Sequence, residues 1–260
     1  MLVEPAIPAV GLSIGLFVAL IACLEAGFRI GRRDTAKIPE AAHEGVGAIE
    51  AAVFALLGLL LGFSFAGGIS RLDSRRLLIV QEANAIGTAY LRLDMLPSNE
   101  QAEMRRLFRS YLDSRLRFYE RLSSRAEAER ELQNIAQLQQ TIWSRAATAS
   151  QADPSQNIAR LLLPALNEMI DVTTSRTIAL RVHTPVLILF LLSCVALLSG
   201  LLAGYAMAKR GRRSWFHALV YAAVVAVTIY AVLDLDRPRS GLIRVDAADA
   251  ALRELRNSIR

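Results

Sequence analysis

Two pairs of long, uncharged apolar runs constrain this chain more than any other feature: Ile7 to Leu24 with Ala51 to Ile69, and Pro185 to Ala208 with Ala218 to Leu233. Between the pairs lie about 115 residues of charged, helix-forming sequence. A hydrocarbon layer ~30 Å thick is crossed by roughly 20 apolar residues of helix, so each run predicts one membrane span. No Val/Ile runs of strand length recur between helices, which argues against a βαβ alternation, and a soluble bundle rarely carries 18 uncharged residues in one core helix. The expected fold is therefore all-α. It is a polytopic membrane protein with four transmembrane helices in two pairs and an extramembrane antiparallel helical domain inserted between them. The expected spans are 7–28 and 48–69, then 185–208 and 214–234, with a helical domain at 70–182 and a short polar tail at 235–260.

The first residues, Met1-Leu-Val-Glu-Pro, lack the positive region of a secretory signal, so the first span is expected to stay as an anchor. The tetrapeptide ending at Cys23 is similar to a lipoprotein cleavage box, but no Lys or Arg precedes it. Cys23 and Cys194 both lie inside apolar runs, where a thiol behaves as a small hydrophobe. With His43, His183 and His217 scattered, neither a disulfide framework nor a metal site is expected, and no cofactor.

Lys and Arg in short loops orient membrane helices. The loops at 29–47 (Arg29, Arg32, Arg33, Lys37) and 209–213 (Lys209, Arg210, Arg212, Arg213) are basic and are expected in the cytoplasm of a bacterial cell, across its inner membrane. The opposite side is basic as well, with Arg71, Arg75 and Arg76 after span two and Arg237, Arg239 and Arg244 after span four. Glycines four apart recur as Gly11/Gly15, Gly58/Gly62 and Gly200/Gly204, the spacing that lets helix backbones approach closely in lipid. Trp215, Tyr205 and Tyr230 stand near span ends, where amphipathic rings prefer the interface. The net charge of +6 does not point to nucleic acid, because the arginines are spread through acidic helices and membrane edges, where anionic headgroups account for them.

Span two does not stop at the membrane. The helical pattern continues through Arg71 to Arg76 and Glu82-Ala-Asn-Ala-Ile-Gly-Thr-Ala-Tyr-Leu-Arg92 as far as Pro97. Ser98 with Gln101 predicts a capping box, and Ser124 with Glu127 a second. Met104, Leu107, Phe108, Tyr111, Leu112, Arg115 and Phe118 form one stripe, Leu132, Ile135, Leu138, Ile142 and Trp143 another. Asp153-Pro154 predicts a helix restart, and Pro164 a kink or the true start of the last soluble helix.

Two segments are too specific for spacers. In the first, Glu82, Asn84 and Thr88 stand among small residues, and Gly87 costs helix stability of about 1 kcal/mol relative to Ala. The second, Asp234-Leu-Asp236-Arg237-Pro-Arg239-Ser-Gly241, sets two carboxylates and two guanidiniums after span four. Surface ion pairs are expected between Arg237 or Arg239 and Glu82 or Asp73, and between Asp234 or Asp236 and Arg75 or Arg76.

Leu57-Gly-Leu-Leu-Leu-Gly-Phe-Ser-Phe65, EANAIGTAYLR, Leu166-Asn-Glu-Met-Ile-Asp171 and LDLDRPRSG together resemble a bacterial membrane domain family of unknown function labelled bestrophin-like. The likeness runs over nearly the whole chain. It extends in architecture to bestrophins, pentameric chloride-permeable channels with a helical domain inserted between span pairs. That likeness implies a pore neck at the Gly/Phe-rich exit of span two, here Gly62-Phe-Ser-Phe65, and a cytosolic helical domain, opposite to the loop-charge expectation. The Trp- and Asp-rich stretch that follows in bestrophins is replaced here by Arg71 to Arg76.

One functional expectation is a homo-oligomeric ion channel in which Phe63 and Phe65 form an apolar constriction and Arg75 or Arg76 concentrates an anion. The alternative is a membrane-anchored sensor or scaffold whose helical domain binds a ligand or partner. No HExxH, GxSxG, P-loop or Cys/His cluster appears, so no enzyme and no catalytic residue is expected. The lipid bilayer is the one partner common to both readings.

Overall fold

The computed structural model describes residues 9–35, 46–122, 124–209, 213–236 and 246–259, and every regular element among them is helical. The helices are α1 (Ala9–Thr35), α2 (Val46–Leu91), α3 (Ser98–Glu120), α4 (Arg125–Gln151), α5 (Leu163–Ala179), α6 (Val186–Lys209), α7 (Trp215–Leu235) and α8 (Asp246–Ser258). A 3-10 turn at Arg92–Met95 follows α2, and a π turn at Ile158–Leu162 leads into α5. Four helices are long and apolar enough to cross a membrane: Ala9–Asp34, the start of Gly47–Met95, Val186–Lys209 and Trp215–Leu235. The chain divides into two compact units at Leu72/Asp73 and Val182/His183. Helix α2 belongs to both.

In the membrane unit α1 packs on α6 and α7. Lipid supplies no hydrophobic drive for helix association, so close backbone approach has to supply the packing. The seam shows how the sequence allows it. A Cβ added at Gly204 of α6 would lie 1.9 Å from the Leu24 carbonyl oxygen of α1, and one at Gly27 of α1 would lie 1.9 Å from the Leu201 oxygen of α6. Gly200 and Gly204 thus serve as their spacing predicts. Their counterparts are Gly27 and Gly31, because Gly15 meets nothing within 4 Å. Leu16, Leu20 and Leu24 fill the centre with Leu192, Val195, Ala222 and Ile229. Most hydroxyls of the described residues are satisfied locally, as hydrocarbon favours, whereas Ser13 Oγ of α1 is buried with no partner among those residues. Ser193 donates to the Leu189 carbonyl at 2.8 Å, Thr228 to that of Val224 at 2.8 Å, and Ser199 pairs with the Tyr221 hydroxyl. Val10, Ile14, Val18, Phe190 and Val224 remain exposed, the outward surface that a bilayer would wet.

The second unit holds the remainder of α2 with α3, α4, α5 and α8. Every member of the predicted α3 stripe, Arg115 included, is buried, and Ile135 and Ile142 of α4 join Leu162, Leu166 and Met169 in the same core. Trp143 is the exception in its stripe, 38% exposed. The predicted capping boxes do not form. Pro97 occupies the N-cap of α3, and Gln101 instead donates to the Leu96 carbonyl at 2.8 Å, closing the preceding turn. Ser124 caps α4 by position without a side-chain bond. Asp153 does restart the chain. Its carboxylate accepts from the amides of Ser155 at 3.0 Å and Ile158 at 2.9 Å, and the Ile158 amide is the leading cause holding its pKa below the ordinary 3.8. Pro164 lies in the first turn of α5, where a missing N–H costs nothing, and the π turn precedes it.

The segment expected to be a polar tail contains α8. Leu252 is fully buried and Ile259 nearly so, while Arg256 grips Asp113 of α3 through both oxygens at 2.6 and 3.1 Å. The pattern Leu252, Leu255, Ile259 has helical spacing, a signal present in the sequence and outweighed there by its many charges.

Candidate functional site

Helix α2 carries the features that set this chain apart from a plain bundle. Its 46 residues run without a break, a length on the order of 70 Å. Along that length one face stays uncovered at helical spacing: Ala55, Leu59, Gly62, Ala66, Asp73, Leu77, Asn84, Thr88 and Leu91 are all exposed. At Gly58 and Gly62 an added Cβ would meet nothing within 4 Å, unlike the glycines of the α1–α6 seam. Phe63, 68% exposed, and Phe65, 39% exposed, border this face in the lipid-crossing part. Further along, the face turns polar, with Asp73, Arg76, Asn84 and Thr88 on it, and Arg76 lies 3.6 Å from Asp73.

Beyond Leu72 the opposite face of α2 is buried and carries the charges of Arg75 and Glu82. Glu82 is fully buried and receives two guanidiniums, Arg115 Nε of α3 at 2.5 Å and Arg176 Nη1 of α5. Arg176 stacks on the Tyr119 ring with 3.7 Å to its centre, and Arg115 donates to the Tyr119 hydroxyl. The Tyr111 hydroxyl lies 2.6 Å from Thr173 Oγ1, which is in turn 3.4 Å from Glu82 Oε1. Burial pushes the Glu82 carboxyl up. The fields of Arg115 and Arg176 outweigh that and hold it below its ordinary 4.5. Burial opposes the charge of Arg115 too, and Glu82 more than restores it. The phenol of Tyr111 is raised by burial. This cluster fastens α2 to α3 and α5 with one carboxylate, so it works as a clamp. One donor, Arg115 Nη1, is buried without a partner.

In the membrane unit a second network joins the middle of α2 to the start of α6 and the end of α7. Arg71 of α2 holds Asp236 through Nε at 2.9 Å and Nη2 at 2.7 Å, and also donates to Thr184 Oγ1 at 2.5 Å. The other Asp236 oxygen accepts from the Thr184 amide at 3.0 Å, one residue before Pro185 opens α6. Asp234, also buried, accepts from the Tyr230 hydroxyl at 3.3 Å.

The residues singled out from sequence thus sort differently from expectation. Phe63, Phe65, Arg76, Asn84 and Thr88 are exposed, whereas Arg75, Glu82, Asp234 and Asp236 are buried instead of lying on the surface. Arg75 is spent on backbone, donating to the carbonyls of Ala179 at 3.1 Å and Val182 at 2.7 Å, the acceptors a helix leaves unpaired at its C-terminus. Arg237 and Arg239 lie outside the described residues. Three partners were not anticipated: Arg71 for Asp236, and Arg115 and Arg176 for Glu82. Arg115 stood in the α3 apolar stripe, and an arginine at a core position was the available signal.

Helices of this length and apolarity, in an all-helical chain, define a membrane protein. The family model described as Bestrophin-like domain matches residues 18–250. The chain belongs to that family. No curated protein and no solved structure matches it.

Proposed function

We propose that the protein is a subunit of a homo-oligomeric anion channel of the bacterial cell membrane, with the uncovered face of α2 turned toward the axis. The observation that carries this reading is the exposure of α2: a stripe is bare from Ala55 to Leu91, and in its lipid-crossing part only 17% of the residues are buried, the smallest share of the four spans. Phe63 and Phe65 supply an apolar constriction of the kind that gates by dewetting. Beyond it Arg76 brings a positive charge, offset in part by Asp73 3.6 Å away on the same face, and Asn84 and Thr88 offer side-chain donors to a passing anion. Arg75 does not take part, since its guanidinium is occupied by backbone carbonyls. The basic loops 29–47 and 209–213 then face the cytoplasm on the charge rule, and no catalytic role is assigned to any residue.

Purified protein in a planar bilayer, recorded in chloride salts and in salts of a large impermeant anion, tests the reading. Anion-selective currents altered by Phe63→Ala support it. Silence in every salt, with a stoichiometric partner protein copurifying, would instead favour a membrane-anchored scaffold.

A further inference from the structure

A shallow cleft in the membrane unit, lined by residues of α1, α6 and α7, lies at the membrane edge away from Asp236. Its walls are Leu24 and Phe28 of α1, Met207 of α6, and Trp215 and Ala218 of α7, and Glu25, Arg213 and Ser214 complete it. We propose that this cleft binds an anionic phospholipid, its phosphate against Arg213 and the first methylenes of one chain along Leu24, Met207 and Ala218. The inference does not depend on ion conduction.

The charge arithmetic points to an anion. Glu25 is the only carboxylate lining the cleft, and it pairs with both Arg29, at 2.7 Å, and Arg213. Two guanidiniums against one carboxylate leave one positive charge. Arg29 is 73% exposed and binds Glu25 through Nε. Arg213 binds Glu25 through Nη2 and lies over the Trp215 ring, 4.1 Å from its centre, with Phe28 at 5.4 Å. The rings and the carboxylate fix the guanidinium at one depth, and its other N–H groups make no hydrogen bond among the described residues. Since Arg213 already fills the seat between the rings, a cationic headgroup is disfavoured there.

Size and polarity point to a lipid over a free phosphate ester. The cleft is open on one side, with a cavity volume of only about 20 Å³, far below the roughly 300–1,000 Å³ of sites that enclose a whole small molecule. A ligand would therefore lie across it, as a lipid does when its headgroup rests on the surface and its chains run in the bilayer. The wall is chiefly apolar, which contributes nothing to holding a bare phosphate.

The test uses the full chain in nanodiscs of mixed phosphatidylglycerol and phosphatidylcholine, with retained lipid counted by native mass spectrometry. Wild-type protein should retain phosphatidylglycerol in preference by about fivefold, the size of one surface guanidinium acting on an anionic lipid. Arg213→Ala should abolish the preference, and Arg125→Ala, on the exposed α4 surface, should keep it. If Arg213→Ala does not fold, Trp215→Ala, which leaves the Glu25 pair in place, should reduce retention. Equal retention of both lipids by wild type, an unchanged preference in Arg213→Ala or in its stand-in Trp215→Ala, or the same thermal shift from glycerol phosphate as from phosphatidylglycerol, would each overturn the assignment.

Discussion

Glu82 repays attention because its position combines a high cost with a high return. A carboxylate without water must be paired, and removing one member of such a pair typically destabilises by about 3–5 kcal/mol, since the partner charge is stranded. Glu82→Gln leaves two buried guanidiniums against a neutral amide, so a loss of that order is expected in thermal unfolding followed by Trp143 fluorescence. The pH dependence has a definite sign. The folded carboxyl titrates below its unfolded value of 4.5, so its contribution is fully present above about pH 4.5 and fades as pH falls through the lowered folded value. Glu82→Gln should flatten the stability curve in that acid window and leave its slope above pH 5 unchanged. Glu82 was expected to be ion-paired, but its partners and its burial were not legible beforehand: Arg115 is 33 residues away and Arg176 is 94. A reading of spacing sees pairs three or four apart and has no handle on partners joined only by the fold. The same limit hid Arg71 from Asp236, 165 residues apart.

Helices were read more successfully than side-chain pairings, because an apolar run or stripe is a property of the segment itself. Each of the four apolar runs lies in a helix long and apolar enough to cross a membrane, and α2 continues past its apolar run as its pattern implied. Caps were missed where the preceding turn offered competing carbonyls, as Gln101 shows, and α8 was missed because its charges masked a three-residue apolar edge. Gly204→Val should disrupt the α1–α6 seam, since the added Cβ would enter the Leu24 carbonyl, and overpacking of this kind costs about 1–3 kcal/mol or more. A lowered melting temperature in detergent measures it. Gly62→Val has open space within the chain, so its stability should stay within about 0.5 kcal/mol of wild type. If α2 faces a second subunit, the same substitution should shift the mass of the detergent-solubilised complex. Leu252→Ala should cost about 2–5 kcal/mol by emptying the seat of α8.

For the whole molecule, conduction and assembly are one question, because a single chain leaves the α2 face bare and a pore needs several such faces around an axis. Cysteine pairs on that face, such as Gly62→Cys with wild-type residues elsewhere retained, should crosslink between subunits in membranes, whereas Val10→Cys on the outward surface of α1 should not. Phe63→Ala should raise unitary current by widening and wetting the constriction.

The uninterrupted course of α2 has a mechanical consequence. An unbroken helix has no joint of its own, so a bend in it can form only where small residues and thin packing leave the backbone unsupported. Within α2 the weak point would be Gly67-Gly68, and there Leu235 stands about 3.1 Å from where a Gly68 side chain would begin, bracing the spot against bending.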